Sequence, residues 1–475
     1  MPAVRVFLPA PEAPTFEALR RELGVVEAFP SEALEEAAEA AAHPRLPSED
    51  LTALPFLTID PVGSVDLDQA MHLVREGAGV RLRYAIADLS SFVVPHGALD
   101  VELRRRGETL YAPDRRVPLH PPVLGEDAAS LLPGVVRPAV VWDLLLDPGG
   151  EPERVDVRRA LVRSRRRLDY GGVQADLDAG TADEQLVLLR EVGLLRQAGA
   201  AARGALDLPS LEQEVDLGPA GPVLSLRAPL PAEGWNAQVS LLTGSVAART
   251  MLAGGVGLLR TMPDPDPADV EGLRRSALAL GLTWPAGASY AAAVSAMDPH
   301  EPRAAALLVL AARLLRGAGY TAFDGAPPEQ STHSAVAGPY AHATAPLRRL
   351  ADRYVLQTCV ALHAGEPVPY DVRAALPLLP AVMTAADRAA NALDRAGIDL
   401  AEALVLAPHV GERFAAQVVE TGPKRGVVQL REPAVRARCD APDLPLGARI
   451  DVELVTADPA TRTVRFRPAG IPVDS

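Results

Sequence analysis

The strongest constraint on this chain is a change of texture at Pro408. Beyond it the sequence runs in short alternating segments: Phe414-Ala-Ala-Gln-Val-Val, Gly426-Val-Val-Gln-Leu, Arg449-Ile-Asp-Val-Glu-Leu-Val and Thr463-Val-Arg-Phe. Turn residues separate them at regular spacing, the rhythm of a small closed barrel of the OB type. Upstream, two helical segments between about Thr15 and Ala42 make a small hairpin, with Ser31 as N-cap of the second. Leu34 leaves its capping box incomplete. Phe56-Leu-Thr-Ile and Val80-Arg-Leu-Arg-Tyr-Ala-Ile read as strands, and more short strands follow to about Leu146. Helices dominate after Val223, notably Glu301 to Arg316, Thr344 to His363 with Pro346 in its first turn, and Leu378 to Leu406. The expected fold class is α+β: a small helical N-terminal domain over 1–50, helix-turn-helix-like in outline, a large mixed domain over 51–407, and the barrel over 408–475. At 475 residues and 48% hydrophobic, the chain can bury two or three cores.

Several classes are excluded. No apolar run is long enough to span a membrane, and the N-terminus lacks the layout of a signal peptide, so a cytoplasmic location is expected. Cys359 and Cys439 are the only cysteines and form no C-x-x-C pair, which argues against a disulfide framework or a zinc site. No G-x-G-x-x-G, P-loop, G-x-S-x-G or H-E-x-x-H pattern occurs. The net charge of −14 argues against a nucleic-acid partner when taken alone. RNA, however, responds to the local field, and the arginines are clustered at 104–106, 115–116 and 163–167.

The most informative segment is Thr58-Ile-Asp60-Pro-Val-Gly-Ser-Val-Asp66-Leu-Asp68-Gln69-Ala, directly after a strand. An extended run points Asp66 and Asp68 the same way, and the proline and glycine let the chain turn back toward Asp60. Carboxylates so close are costly unless a cation neutralises them, and all-oxygen ligands select a hard ion such as Mg²⁺ or Mn²⁺. On spacing alone a polar surface loop, where Asp and Gly are common, is the better account of the segment.

Further segments occur in order: Tyr84-Ala-Ile-Ala-Asp-Leu-Ser-Ser-Phe-Val, Arg106-Gly-Glu-Thr-Leu-Tyr111-Ala-Pro-Asp, Val117-Pro-Leu-His-Pro, Ser130-Leu-Leu-Pro-Gly, Arg163-Ser-Arg-Arg-Arg-Leu-Asp-Tyr170 and Tyr340-Ala-His-Ala-Thr-Ala-Pro-Leu-Arg348-Arg349-Leu-Ala-Asp352. Together with the acidic segment and the barrel, these resemble the ribonuclease II family, whose RNB catalytic domain carries an aspartate quartet. The resemblance covers roughly Leu54 to Arg467. It implies processive hydrolysis of single-stranded RNA from the 3′ end to nucleoside 5′-monophosphates, with Mg²⁺ as cofactor and Mn²⁺ as its substitute. A monomer with no obligatory protein partner and no membrane association is expected.

By the same resemblance, Asp60, Asp66 and Asp68 match three members of the metal-binding quartet, and Asp68 is the one most tied to catalysis. The fourth position is Gln69, an amide that can ligate through oxygen but brings no charge. Arg348 matches the arginine that contacts the phosphate at the scissile bond, and Arg349 stands beside it as an RNA-binding candidate. Tyr111 matches a tyrosine that stacks on or brackets the bound RNA, and Tyr170 one that lines the innermost cavity, where the terminal nucleotides sit. Asp394 stands where the family has an acid near the ribose. The N-terminus departs most, because familiar bacterial members carry two cold-shock domains there. Two rivals remain at this point: a catalytically inactive RNB-fold RNA-binding protein, supported by Gln69, and a phosphoesterase acting on small nucleotides.

Overall fold

The computed structural model describes residues 13–209, 211–218 and 221–469. Helices α1 (Ala13–Glu22) and α2 (Ser31–Ala42) come first. Pro30 is the N-cap of α2, and no side chain caps it. Ser31 is thus the first helical residue rather than the cap, and its hydroxyl bonds Glu32 instead. The buried Ala37 belongs to the main core, whereas Phe16 and Leu19 of α1 pack on Leu393 and Leu400 much further along the chain. Both helices therefore build onto other parts of the molecule.

The centre of the molecule is a closed five-stranded barrel whose order begins β1 (Phe56–Ile59), β2 (Gln69–Glu76), β3 (Gly79–Ala87) and ends on two later strands. Helix α3 (Ala98–Arg106) and a minute hairpin of β4 (Leu110–Tyr111) and β5 (Arg116–Val117) intervene before the long strands β6 (Val136–Leu146) and β7 (Pro152–Leu168) close the barrel. β7 lies parallel to β1. Alternation fills the interior: Met71 of β2 faces Tyr84 of β3, which faces Trp142 of β6, and all three are buried. The arginines at 163–167 ride on the end of β7, a single seventeen-residue strand.

Helices α4 (Tyr170–Ala179) and α5 (Glu184–Ala202), the hairpin β8 (Glu212–Gly218) and β9 (Gly221–Arg227), and α6 (Pro231–Gly254) follow. β10 (Val256–Thr261) pairs with β11 (Gly319–Asp324) around α7 (Pro267–Ala279), α8 (Tyr290–Ser295) and α9 (Pro302–Ala312). Helix α10 covers Leu350–His363, then α11 (Tyr370–Ala375) and the long α12 (Leu379–Leu406). Strands β12 (Arg413–Glu420), β13 (Gly426–Leu430), β14 (Arg436–Cys439), β15 (Arg449–Asp458) and β16 (Thr463–Pro468) form a second closed barrel. This is the small barrel expected after Pro408, with β14 as the strand the sequence did not reveal. Both cysteines are buried and free. No helix among the described residues is long and apolar enough to cross a membrane.

Helix α10 begins six residues later than the sequence suggested. Proline disfavours the helical region in the residue before it, here Ala345, and Arg349 is still extended at φ −134°. Residues 344–349 form a turn instead, tied to the end of α3 by the Thr109 N–H donating to Arg348 O and the Leu350 N–H donating to Gly107 O, each at 2.9 Å. Gly107 ends α3 at φ +73°, and a Cβ there would lie 2.6 Å from Ala386. No residue with a side chain fits this contact, which brings α12 against the turn.

Candidate active site

The acidic turn between β1 and β2 is fixed by a second loop. Ser130 Oγ accepts the Leu67 N–H at 2.9 Å and donates to the Val65 carbonyl at 2.7 Å. The Leu131 N–H bonds Leu67 O at 3.0 Å and the Ala87 N–H bonds Asp68 O at 2.9 Å. The backbone is held on both sides of Asp66, so the direction of the Asp68 carboxylate is set before any ligand arrives.

Asp68 is 6% exposed. Its Oδ1 accepts the Leu347 N–H at 2.7 Å, and its Oδ2 stands 3.6 Å from Nε of Arg348. Burial raises its pKa well above the usual aspartate value; Arg348 and the Leu347 amide oppose this, while the charges of Asp66 and Asp352 add to it. Such a carboxylate is one that a bound cation would relieve. Asp66 is ion-paired to Arg116, whose other arm reaches Glu126 at 2.8 Å. Asp60 closes β1, its N–H bonded to Leu168 of β7 at 3.1 Å.

The expected convergence of Asp60, Asp66 and Asp68 is therefore not formed. Among the described residues no group of three or more His, Cys, Asp or Glu side chains could hold a metal ion. Asp66 and Asp68 are drawn to different cations, Arg116 and Arg348. Gln69 is not a fourth ligand as the structure stands. Its Oε1 accepts the Tyr84 hydroxyl at 2.5 Å, and its Nε2 donates to Thr344 O at 2.6 Å. Burial pushes the Tyr84 pKa up, so the phenol keeps the proton it donates. What fits a divalent ion is the pair Asp66 and Asp68, two hard oxygen donors whose charges already act on each other.

Arg348 leaves the turn with 45% of its side chain exposed, while Arg349 turns inward. The Arg349 fork makes two bonds of 2.9 Å to Asp352, which is fully buried and also accepts the Ala345 N–H at 2.7 Å. The Arg349 guanidinium thus braces the turn that presents Arg348. Tyr111 is 43% exposed on β4. Its hydroxyl feels Arg348, Asp66, Asp68 and Arg116 together, which places those residues around one site; partial burial, the largest influence, raises its pKa. Tyr170 begins α4, accepts a 3.0 Å bond from Asn236 Nδ2, and acts on Tyr84 next to Gln69. Asp394 lies instead on α12, half-buried, its pKa raised by that burial. It precedes Gly397, where Pro113 of the hairpin packs so closely that a Cβ would lie 2.8 Å from it.

Several residues of the site were not read from the sequence. Arg116 stood out only as part of a basic cluster. Glu108 lay unremarked inside the Arg106–Tyr111 segment. Burial and the charge of Asp387 push the Glu108 carboxyl up to about 7 against the pull of Arg349, Arg260 and Arg348.

The model of the RNB domain matches residues 48–363, two thirds of the chain, and takes in the residues of this site other than Asp394. The chain belongs to the RNB family. A second model, the RNase II-type exonuclease C-terminal S1 domain, matches 412–469, which is the second barrel. The RNB protein is 32% identical over 325 residues to the exosome complex exonuclease RRP44 homolog A of Arabidopsis thaliana, covering 65% of this chain and 34% of that one. It is 32% identical over 161 residues to exoribonuclease 2 of Proteus mirabilis, covering 32% and 25% respectively. The chain thus spans about a third or a quarter of the length of these curated relatives. Among solved structures, Mycoplasma genitalium RNase R in complex with ribose methylated single-stranded RNA superposes with a TM-score of 0.84 at 18% identity, over 95% of this chain and 77% of that one. Yeast Ssd1, a pseudonuclease, superposes at 0.72 and 18% identity, over 94% and 57%. At these identities the likeness is one of fold.

Proposed function

We propose that this RNB protein is a metal-dependent exoribonuclease that hydrolyses single-stranded RNA from the 3′ end, processively, to nucleoside 5′-monophosphates. The observation that carries the reading is the half-exposed Arg348 guanidinium set against the buried Asp68 carboxylate, with Asp66 beside it. Asp66 and Asp68 would hold Mg²⁺, with Mn²⁺ as a substitute. When bound, such an ion would supply Lewis acidity and lower the pKa of water at the site.

The chain's own residues supply the rest. Arg348 is close enough to Asp68 to be oriented and exposed enough to fork onto two phosphate oxygens, where it would offset charge that grows in the transition state. The exposed ring of Tyr111 offers a face for a base, which tolerates any sequence. Tyr170 would line the inner end, and Asp394 would accept a hydrogen bond from a ribose 2′-hydroxyl. Arg349 and Gln69 hold loops rather than substrate. On this reading the protein works in the cytoplasm as a monomer without an obligatory partner.

A second reading is favoured by one observation: Gln69 replaces an acid, and its oxygen is already engaged by Tyr84. It makes the chain a catalytically inactive RNA-binding protein of the same fold. Product analysis of 5′-labelled poly(A), with and without Mg²⁺, separates the two. Mononucleotide release that shortens the RNA from its 3′ side, and is lost in Asp68→Asn, supports the nuclease. Binding with no Mg²⁺-dependent release in the wild type leaves only the second reading.

A further inference from the structure

Helix α1 carries a buried arginine. Arg20 is 1% exposed, a place an arginine occupies only when paired. Its Nε donates to Glu27 at 2.6 Å and its Nη1 pairs with Asp114, itself only 4% exposed. Asp114 lies in the loop joining β4 to β5, between Tyr111 and Arg116. Arg115, next in that loop, reaches the other oxygen of Glu27 at 3.1 Å, and its carbonyl accepts the Ala112 N–H at 2.8 Å. Beneath these ion pairs, Phe16 and Leu19 of α1 share one apolar cluster with Leu110 and Ala112 of the hairpin and with Leu393 and Leu400 of α12. Behind, Arg106 donates to the carbonyls of Glu27 and Ala28 at 3.2 and 2.8 Å and stacks on Phe29 with its guanidinium carbon 3.7 Å from the ring centre.

A hairpin with two-residue strands has almost no ladder of its own to keep its shape. Its loop nevertheless has to hold Tyr111 toward the site and Arg116 on Asp66. We propose that Arg20 and Asp114 are positioning residues that lock this hairpin, so that the N-terminal segment is a working part of the RNA site. The inference rests on the RNA-site reading of Tyr111. It assigns the residues ahead of the matched RNB segment a role in substrate binding, exerted through a buried ion pair rather than by contact with RNA.

The test is a double-mutant cycle on RNA affinity. Binding of a 5′-fluorescein oligoadenylate to the full chain is followed by anisotropy in EDTA, with thermal melting of each variant alongside. Tyr111→Ala should weaken binding about tenfold, the loss of one stacked base. Arg20→Met should weaken it about three- to tenfold, and Arg20→Lys should restore part of that. In the Tyr111→Ala background, Arg20→Met should add less than about twofold, because the group it positions is gone. If Arg20→Met does not fold, the isosteric Asp114→Asn carries the same cycle. Equal losses in both backgrounds, or a lowered melting temperature with unchanged affinity, overturn the proposal while leaving the nuclease reading intact. A wild type that binds no RNA overturns both.

Discussion

Replacing Asp68 by asparagine should abolish turnover and yet leave the metal-free fold as stable as before, or slightly more stable. The asparagine carbonyl can still accept the Leu347 N–H, now at 2.7 Å. What is lost is the attraction of Arg348 at 3.6 Å, a partner 45% exposed, which places the pair at about 0.2–1 kcal/mol. What is removed is the burial of a charge, which costs several kcal/mol per ion before compensation. The upward shift of the Asp68 pKa says that burial outweighs the attractions. We expect a net gain of about 1 kcal/mol, a rise of about 2 °C in melting temperature for a chain of this size. The sign follows from linkage: an acid with a raised folded pKa binds its proton more tightly when folded, so the wild type loses stability as pH climbs above the ordinary aspartate value near 3.8. The difference should open with rising pH and close in acid. Scanning calorimetry in EDTA measures it, and added Mg²⁺ should then stabilise the wild type but not the variant. A variant less stable by more than about 1 kcal/mol at neutral pH would show that the carboxylate supports the fold, and the reasoning would be wrong.

Other outcomes follow from neighbouring contacts. Glu108, pushed up to about 7, gains a negative charge among Arg348, Arg349 and Arg260 as pH rises through that value; RNA affinity should fall from pH 6 to 8, and Glu108→Gln should flatten the profile. An affinity that falls equally in Glu108→Gln would point to another group. Gln69→Leu removes the donor to Thr344 O and the acceptor for Tyr84, and should cost about 1–3 kcal/mol in chemical denaturation together with slower RNA cleavage. Unchanged stability would mean that those bonds are replaced by water. Arg349→Met strands the buried Asp352 carboxylate and should cost about 3–5 kcal/mol, read as a lower denaturation midpoint. A loss of RNA affinity with no loss of stability would restore Arg349 to the RNA site.

The readable parts of the fold were those whose pattern is local. The alternation of Gly426–Leu430 and Thr463–Phe466 announces strands on its own, and their spacing implies closure. Strand β14 escaped because Arg-Ala-Arg-Cys is four residues long and its closing contact is a parallel pairing with β16. The central barrel escaped for a similar reason: β7 pairs in parallel with β1 about a hundred residues earlier. The start of α10 was misjudged because proline in a first turn and proline before a helix look alike until Arg349 and Asp352 are seen to pair.

The amino-acid sequence by itself determined which chemical groups are present and in what order: the acids at 60, 66 and 68, the amide at 69, the arginines at 348 and 349, and the segments that mark the family. Only the tertiary structure decided what each group faces. Gln69 meets Thr344 and Asp68 meets Leu347 across 275 and 279 residues, and Arg20 meets Asp114 across 94. Local periodicity records which side of an element is apolar, because burial repeats along it. Pairing between single polar side chains on distant elements leaves no periodic trace, and it is set only when the barrel, the turn at 344–349 and helix α1 are packed together.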